Sequence, residues 1–118
     1  MFEVIIFKNK NGESSVLEKI EDLKNRASTD KSARIELNKI FEYISILERC
    51  GTRAGEKYTK HIEGDIWELR PSNNRIFFIS WINKKIVLLH CFRKKTQKTP
   101  KKEIEQAKRN LYLFLNEK

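Results

Sequence analysis

The sequence has few of the residues that build disulfide frameworks, metal sites or membrane spans. Its two cysteines, Cys50 and Cys91, are far apart and in no metal-binding or redox spacing, so we expect buried, reduced thiols. Its two histidines, His61 and His90, have no partner at metal-ligand spacing, so no metal site is predicted. No apolar run approaches the ~18 residues of a membrane span, and the N-terminus is too short and acidic for a signal peptide. We therefore expect a soluble, cytoplasmic protein without a cofactor.

The sequence also lacks the linkers and repeats that divide a chain into several units. Its 118 residues predict a single domain over residues 1–118. Charged residues make up 35% of the chain, which indicates a small core and a well-hydrated surface. Seven phenylalanines and two tryptophans are available for burial, so a folded domain is favoured over a disordered chain.

Positive charge is concentrated in one stretch, residues 93–102, which we call the basic segment. It contributes +6 of the net charge of +9 and has no acidic residue, so the rest of the chain is nearly balanced. Cations gathered in one place, rather than spread evenly, are typical of a site that binds a polyanion. Its cations are Arg93, Lys94, Lys95, Lys98, Lys101 and Lys102.

Three amphipathic helices are predicted from apolar spacing and from capping residues. Ser15 and Glu18 have the spacing of a capping box and open the first helix. Asp30 caps the second helix, which ends at Gly51, and Thr99 caps the third before a proline. The expected apolar stripes are Val16, Ile20, Leu23 and Ala27; Ala33, Leu37, Ile40, Phe41, Ile44 and Leu47; and Ile104, Ala107, Leu111, Tyr112 and Leu115.

Strands are predicted where the apolar period changes to two. Residues 2–7 form a first strand, and the later strands cover residues 58–62, 65–70, 75–82 and 85–92. Glu63-Gly64 and Asn83-Lys84 provide the tight turns. The resulting order is β-α-α-β-β-β-β-α, an α+β fold.

The third and fourth of these later strands are expected to lie in the centre of the sheet. Residues 75–82 are apolar on both faces, which is rare for a strand with one wet face, so helices or a partner chain must cover both sides. The two expected rows are Ile76, Phe78 and Ile82 on one face and Phe77, Ile79 and Trp81 on the other.

Two stretches resemble a known family. WELRPSNNRIFFISW (residues 67–81) and IVLLHCFRKKTQKTPKKEIEQAKR (residues 86–109) are similar to the signature of the phage-derived HigB toxins of the RelE/ParE superfamily. The resemblance covers about residues 57–110; its K-K-T-x-K-T-P part is specific, whereas E-L-R alone is weak. It implies a RelE-like fold, with helices packed on a twisted, mainly antiparallel sheet. It also implies the toxin of a type II toxin–antitoxin pair that cuts mRNA on the ribosome. The expected partners are a HigA-like helix-turn-helix antitoxin, the ribosome and mRNA.

Alternation along a strand places candidate site residues on one face. Glu68 and Arg70 share a face with Ile66, and Arg75 begins the next strand across a short turn. The resemblance implies that Arg75 contacts the scissile phosphate; an ion pair with Glu68 is the alternative. Two roles stay open for Arg70: a role in the site, or a salt bridge. Glu68 is either a general base or the residue that orients the two arginines.

The basic segment and the strand before E-L-R supply the other candidates. The resemblance implies catalysis or phosphate binding by Lys94 and Lys95; a solvated charge run is the alternative. His61 is either a proton donor to the leaving oxygen or a structural histidine, and His90 is predicted to be a core residue. The expected RNA contacts are Lys60, Arg93, Lys95, Lys98, Lys101 and Lys102.

The chain departs from RelE itself at three positions. Ile66 and Glu68 replace strand lysines, and Ile104 stands near the position of a tyrosine on the final helix, while Tyr112 is expected to pack. The general acid and base therefore stay open. Two other functions stay open as well: a ParE-like gyrase inhibitor without nuclease chemistry, and a basic protein that only binds RNA.

Overall fold

The computed structural model describes residues 1–117 and has the predicted α+β element order. Among these residues, no helix combines the length and the apolar character needed to cross a membrane. A short 3-10 helix, Gly51–Ala54, follows the second α-helix. The elements are β1 (Glu3–Ile6), α1 (Ser15–Ala27), α2 (Lys31–Cys50), β2 (Thr59–Glu63), β3 (Ile66–Leu69), β4 (Asn74–Trp81), β5 (Lys85–Arg93) and α3 (Lys101–Asn116).

The five strands form one sheet in the order β1-β5-β4-β3-β2. Strand β1 runs parallel to β5, and the other pairs are antiparallel. Because β1 pairs only with Lys85 to Leu88, the later part of β5 has no strand neighbour on that side. A register shift lies between Phe77 and Phe78 of β4, which face His90 and Leu88 of β5. The two longest strands, β4 and β5, lie side by side within the sheet.

Helices cover both faces of the central strands, as the sequence predicts. Ile76 and Phe78 pack in one apolar core with residues of α1 and α2. Phe77 and Ile79 pack in a second core with residues of α3. The prediction for Ile82 is wrong: its side chain is 61% exposed, because β4 ends at Trp81 and Ile82 enters the turn.

The cap of α2 is the predicted one, and that of α1 is shifted by one residue. Asp30 caps α2, where its Oδ1 accepts the Ala33 N–H at 3.2 Å. For α1 the cap is Ser14 and not Ser15, with Ser14 Oγ accepting from Leu17 N at 3.2 Å. Ser15 is the first helical residue, and its hydroxyl is used in contacts with β5.

Helix α3 begins differently from its prediction. Pro100, and not Thr99, holds the cap position, and no side chain caps the helix there. Pro100 has an extended backbone, with φ −62° and ψ 134°, so the helix starts one residue later than expected. The prediction that Tyr112 packs is also wrong, since it is 68% exposed and Phe114 is buried in its place.

Helix α2 and the cysteines show two smaller differences. Phe41 is exposed, whereas Tyr43 is buried and packs edge-on against Tyr58 at a centroid distance of 4.9 Å. Cys50 is exposed at the end of α2, against expectation, and Cys91 is buried. Burial raises the pKa of the Cys91 thiol to about 12, so this thiol stays protonated and unreactive at neutral pH.

Gly51 ends α2 in a conformation that a larger residue would strain. Its φ is +57°, and an added Cβ would lie 2.8 Å from Cζ of Phe2. We expect Gly51→Ala to lower the free energy of unfolding by about 2 kcal/mol, from backbone strain and the displaced ring. The control is Gly12→Ala, where φ is +78° with nothing within 4 Å, and about 1 kcal/mol is expected from strain alone. Urea denaturation measures both, and equal losses would contradict the close packing of Phe2.

Candidate nucleic-acid interface

A polar cleft of about 740 Å³ lies at one end of the sheet. Five of its eight lining residues are cations, and among the residues that line it there is no aromatic side chain and no carboxylate. Such a lining favours a chain of phosphates over an apolar ligand. The lining residues are Lys60, Arg70, Asn73, Arg75, Lys94, Lys95, Thr96 and Gln97.

Strand connectivity brings these residues together. The turn between β3 and β4 places Arg70 and Arg75 at the same end of the sheet. Strand β5 is antiparallel to β4, with Arg75 facing Phe92, so the chain leaves β5 at this end. The Lys94 N–H then donates to the Asn73 carbonyl at 2.7 Å, which fixes the start of the basic segment against the turn. The alternation of side chains along each strand does not place the basic segment relative to Arg70 and Arg75. The antiparallel register of β4 and β5 does.

Arg75 is held firmly by the main chain around it. Its Nη1 donates to the carbonyl oxygens of Ser72 and Asn74, both at 2.8 Å, and its side chain is 13% exposed. Burial lowers the pKa of the Arg75 guanidinium; the Glu68 carboxylate opposes this shift and Arg70 adds to it. An arginine titrates so far above neutral pH that it keeps its charge nonetheless. The result is a fixed cation with one side open to the cleft.

Glu68 lies beneath the two arginines and is only 1% exposed. Its Oε2 is 3.5 Å from Arg70 Nε and 3.7 Å from Arg75 Nε, while its Oε1 has no hydrogen-bond partner. These distances indicate ion pairing more than short hydrogen bonds. A buried carboxylate without a counter-charge is costly, so the pairing stabilises all three groups together.

Arg70 forms the more exposed wall of the cleft. Its Nη1 donates to the Glu56 carbonyl at 3.1 Å, and its main-chain N–H donates to Tyr58. About a third of its side chain is exposed, at 31%. Lys60 of β2 faces Glu68 across the strand pair and lines the same cleft.

Arg93 does not lie in this cleft. It is on the opposite face of the sheet, where its Nη1 lies 3.1 Å from Glu36 Oε1 of α2. Glu36 also accepts from Asn74 Nδ2 at 2.8 Å and pairs with Lys19 at 3.4 Å. Burial works against the charge on Glu36, but the Asn74 amide, Lys19 and Arg93 together hold its pKa below the usual value.

Several other candidates also lie outside the lining. His61 Nε2 is 2.7 Å from the Gly64 carbonyl, and its ring packs edge-on against Trp67, on the face opposite Glu68. The remaining lysines of the basic segment are exposed and beyond the cleft; they are Lys98, Lys101 and Lys102. The structure thus joins Lys60, Lys94 and Lys95 to the two arginines and separates the others from them.

His90 is only partly the core residue that was predicted. Its side chain is 12% exposed, but it belongs to neither apolar core and makes polar contacts on both ring nitrogens. Among residues 1–117, no three histidine, cysteine or acidic side chains lie close enough together to hold a metal ion.

Three lining residues were missed by the sequence analysis: Asn73, Thr96 and Gln97. Asn73 sits in the turn between the arginines, and the other two interrupt the lysines of the basic segment. Thr96 donates to the Lys98 carbonyl at 2.7 Å, which shapes the segment locally. Their position between cations was the available signal, because amide and hydroxyl groups also bind phosphate oxygens.

Comparison with known proteins identifies the family. The family described as Phage derived protein Gp49-like (DUF891) matches residues 18–112, which include every residue that lines the cleft. No curated protein matches the chain at a significant level. The family match extends from α1 into α3 and covers most of the chain. The chain therefore belongs to the phage-derived Gp49-like family, a family of RelE/toxin-like proteins.

Proposed function

We propose that this chain is the toxin of a type II toxin–antitoxin pair and an endoribonuclease that cuts mRNA on the ribosome. It is a HigB-type enzyme in this proposal, and it uses no metal. The observation that carries the proposal is the cleft in which Arg70 and Arg75, on either side of the β3–β4 turn, meet Lys94 of the basic segment. Cations brought together in this way suit a phosphodiester better than they suit the stability of the sheet, because like charges repel.

The proposed reaction is attack by a ribose 2′-hydroxyl on its own phosphodiester. A bond forms between the 2′-oxygen and phosphorus, the bond from phosphorus to the 5′-oxygen breaks, and a 2′,3′-cyclic phosphate results. The 2′-hydroxyl loses its proton, and the leaving 5′-oxygen gains one. Negative charge grows on the phosphate oxygens between these steps, so fixed cations lower the barrier.

Arg75 is the residue assigned to that charge. Its guanidinium is anchored by two carbonyl oxygens and needs little reorganisation when the charge develops. Because Arg75 Nη1 is bonded to two carbonyl oxygens and its Nε faces Glu68, Arg75 Nη2 is the nitrogen assigned to the phosphate, and Arg70 is assigned to a second phosphate oxygen. Glu68 is assigned to orienting this pair, because its burial beneath them keeps it away from the substrate.

Lysine amines are assigned to the proton transfers. No imidazole or carboxylate lies among the residues that line the cleft, whereas Lys60, Lys94 and Lys95 do. Lys94 is the preferred candidate, since its main chain is bonded to Asn73 and it is less exposed than Lys95.

The cleft also supports dependence on the ribosome. Proteins that read single-stranded RNA alone use aromatic side chains to stack bases, and the lining described here offers none. It can hold a backbone but has few means of selecting a base. A ribosome that presents the messenger in a fixed conformation would supply the missing positioning, and the net charge of +9 favours docking on ribosomal RNA.

The family also supports an antitoxin partner, which we propose to be HigA-like. A toxin without a neutralising partner would arrest its own host. The alternative function is ParE-like gyrase inhibition, which needs no phosphate-directed cleft. The position of Arg75 in such a cleft favours the nuclease over the inhibitor.

Brief induction of the chain in bacteria, followed by primer extension on total RNA, tests the proposed function. We expect new 5′ ends within translated mRNA after a few minutes, with intact chromosomal DNA and normal cell length. DNA breaks and filamentation with intact mRNA would overturn the proposal in favour of gyrase inhibition. Growth arrest without cleaved RNA or damaged DNA would favour RNA binding alone.

A further inference from the structure

The part of β5 beyond β1 has main-chain groups that no strand pairs with on that side. Strand β1 ends its pairing at Leu88, and Phe7 N–H donates to the Leu88 carbonyl at 2.9 Å. Beyond that point, side chains of the helices bond to the main chain of β5. Asn110 Nδ2 of α3 donates to the Leu89 carbonyl at 2.8 Å, and the Cys91 N–H donates to Ser15 Oγ of α1 at 2.9 Å. Both helices therefore bond to the same strand edge, from opposite faces of the sheet.

His90 lies between these two contacts along β5, and its ring contacts both α1 and α3. Its Nδ1 is 2.8 Å from Ser15 Oγ, and its Nε2 is 2.7 Å from Oε1 of Glu103. Because Ser15 Oγ already accepts the Cys91 N–H, its own hydrogen is free to point at Nδ1. The ring hydrogen on Nε2 then points at the carboxylate, so both ring nitrogens are used. Ser15, His90 and Glu103 form a continuous chain of hydrogen bonds, which we call the edge relay.

The edge relay bonds together residues on either side of the basic segment. Glu103 is in the first turn of α3, directly after that segment, and His90 lies three residues before the segment begins. The His90–Glu103 bond thus closes a loop that carries four of the eight cleft-lining residues. Further attachments of this loop are the bond from the Lys94 N–H to the Asn73 carbonyl and the contact of Arg93 Nη1 with Glu36 Oε1. Without the relay, these two contacts and the packing of α3 would be left to limit movement of Lys94 and Lys95.

We propose that the edge relay positions Lys94 and Lys95, the two lysines that the basic segment contributes to the cleft. His90 and Glu103 are positioning residues, and they act by fixing where α3 starts. Their effect on cleavage rests on the proposed nuclease function, whereas their effect on the loop does not. The bond to an ionised acceptor is stronger than a neutral one, which suits a contact that must hold a charged loop in place.

The test uses the full chain with Glu103→Ala, the milder Glu103→Gln and the control Glu105→Ala. Gln can still accept from His90 Nε2, and Glu105 is an exposed carboxylate on the same helix. We measure hydrogen exchange of the Lys94 amide, with the Thr59 amide, bonded to Gly55 at 2.8 Å, as internal reference. We expect exchange at Lys94 to become about tenfold faster in Glu103→Ala, a change of about 1.4 kcal/mol in local opening. Glu103→Gln should recover most of this protection, and Glu105→Ala should leave it unchanged.

Cleavage of mRNA on programmed ribosomes provides the second readout. We expect Glu103→Ala to lower kcat about tenfold with little change in KM, and Glu103→Gln to restore most of kcat. Unchanged exchange at Lys94 in Glu103→Ala would overturn the edge relay, whatever the nuclease result. If the unmodified chain cuts no RNA, the proposed function fails, and the exchange measurement still decides the role of the relay. Equal acceleration at Lys94 and Thr59 would indicate general destabilisation and would also overturn it.

Discussion

Replacing Arg75 with alanine is expected to lower mRNA cleavage on programmed ribosomes by about 10²–10³-fold, the loss typical of one preorganised donor to developing charge. The guanidinium is fixed by the carbonyls of Ser72 and Asn74, so no neighbouring cation can take its place without moving. Single-turnover cleavage with ribosomes in excess measures the loss. Growth arrest on induction should disappear in parallel.

Two variants accompany this measurement. Arg109→Ala removes the same charge from α3, where Arg109 Nη2 donates to Gln106 Oε1 at 2.7 Å, and cleavage should be unchanged. Arg75→Lys keeps a cation but loses the planar guanidinium that bonds to the carbonyls of Ser72 and Asn74 while it faces the cleft, so it should recover only part of the rate. Thermal unfolding must show that Arg75→Ala is folded at the assay temperature. Cleavage by a folded Arg75→Ala at the rate of the unmodified chain would remove Arg75 from the mechanism.

The second large effect is expected at Glu68. Glu68→Ala leaves two arginines side by side, one of them largely buried, without their shared counter-charge. Breaking a buried pair costs about 3–5 kcal/mol. Because Arg70 is partly exposed and water screens it, we expect the free energy of unfolding to fall by about 2–3 kcal/mol. Urea denaturation measures this loss, and Glu42→Ala, an exposed carboxylate on α2, should change little.

Glu68→Gln separates the two chemical roles considered for this residue. A general base would lose catalysis while stability stayed nearly constant, because glutamine has the same shape. An orienting residue would lose both together, since the neutral amide no longer offsets the charges of Arg70 and Arg75. We expect the second result, with strong coupling between Glu68→Gln and Arg75→Lys in a double-mutant cycle. Loss of cleavage at full stability, with no coupling, would restore the general-base role.

Local patterns predicted the sheet end well. Alternation placed Glu68 and Arg70 on one face, because the strand geometry leaves a side chain only two directions. Asn83 and Lys84 form the expected two-residue turn, with φ of 57° and 56°, values that suit such a connection. The resemblance to HigB toxins added the expected role of Lys94 in catalysis or phosphate binding, which no local pattern contains.

Charge counting predicted the cleft less well, because it ignores the direction of each side chain. Arg93 is the last residue of β5, so the pleat turns it to the α2 face and away from Lys94. Extending the alternation by one residue past Phe92 would have separated Arg93 from the lysines that follow. The adjacent serines at α1 show a different limit. Ser15 has the capping-box spacing to Glu18, yet Ser14 caps the helix, and the Ser15 hydroxyl bonds to distant β5.

The helix stripes failed where two aromatic residues lie two positions apart, and so on different sides of the helix. Phe41 of α2 is exposed, whereas Tyr43 is buried and contacts Tyr58. On α3, the helical period from Ala107 leads to Phe114, with Tyr112 turned outward. Packing partners from other elements settled both cases, and these partners are separated from the helices in sequence.

The most direct test of the cation cleft and its proposed chemistry uses an mRNA with a single 2′-deoxynucleotide directly before the mapped cut. The account predicts that programmed ribosomes still recruit the protein to this message and that cutting at that bond stops. The all-ribose message should yield a 5′-hydroxyl fragment and a 2′,3′-cyclic phosphate. Cleavage of the deoxy bond at the normal rate, with a 5′-phosphate product, would contradict attack by the neighbouring sugar and the role given to Arg75.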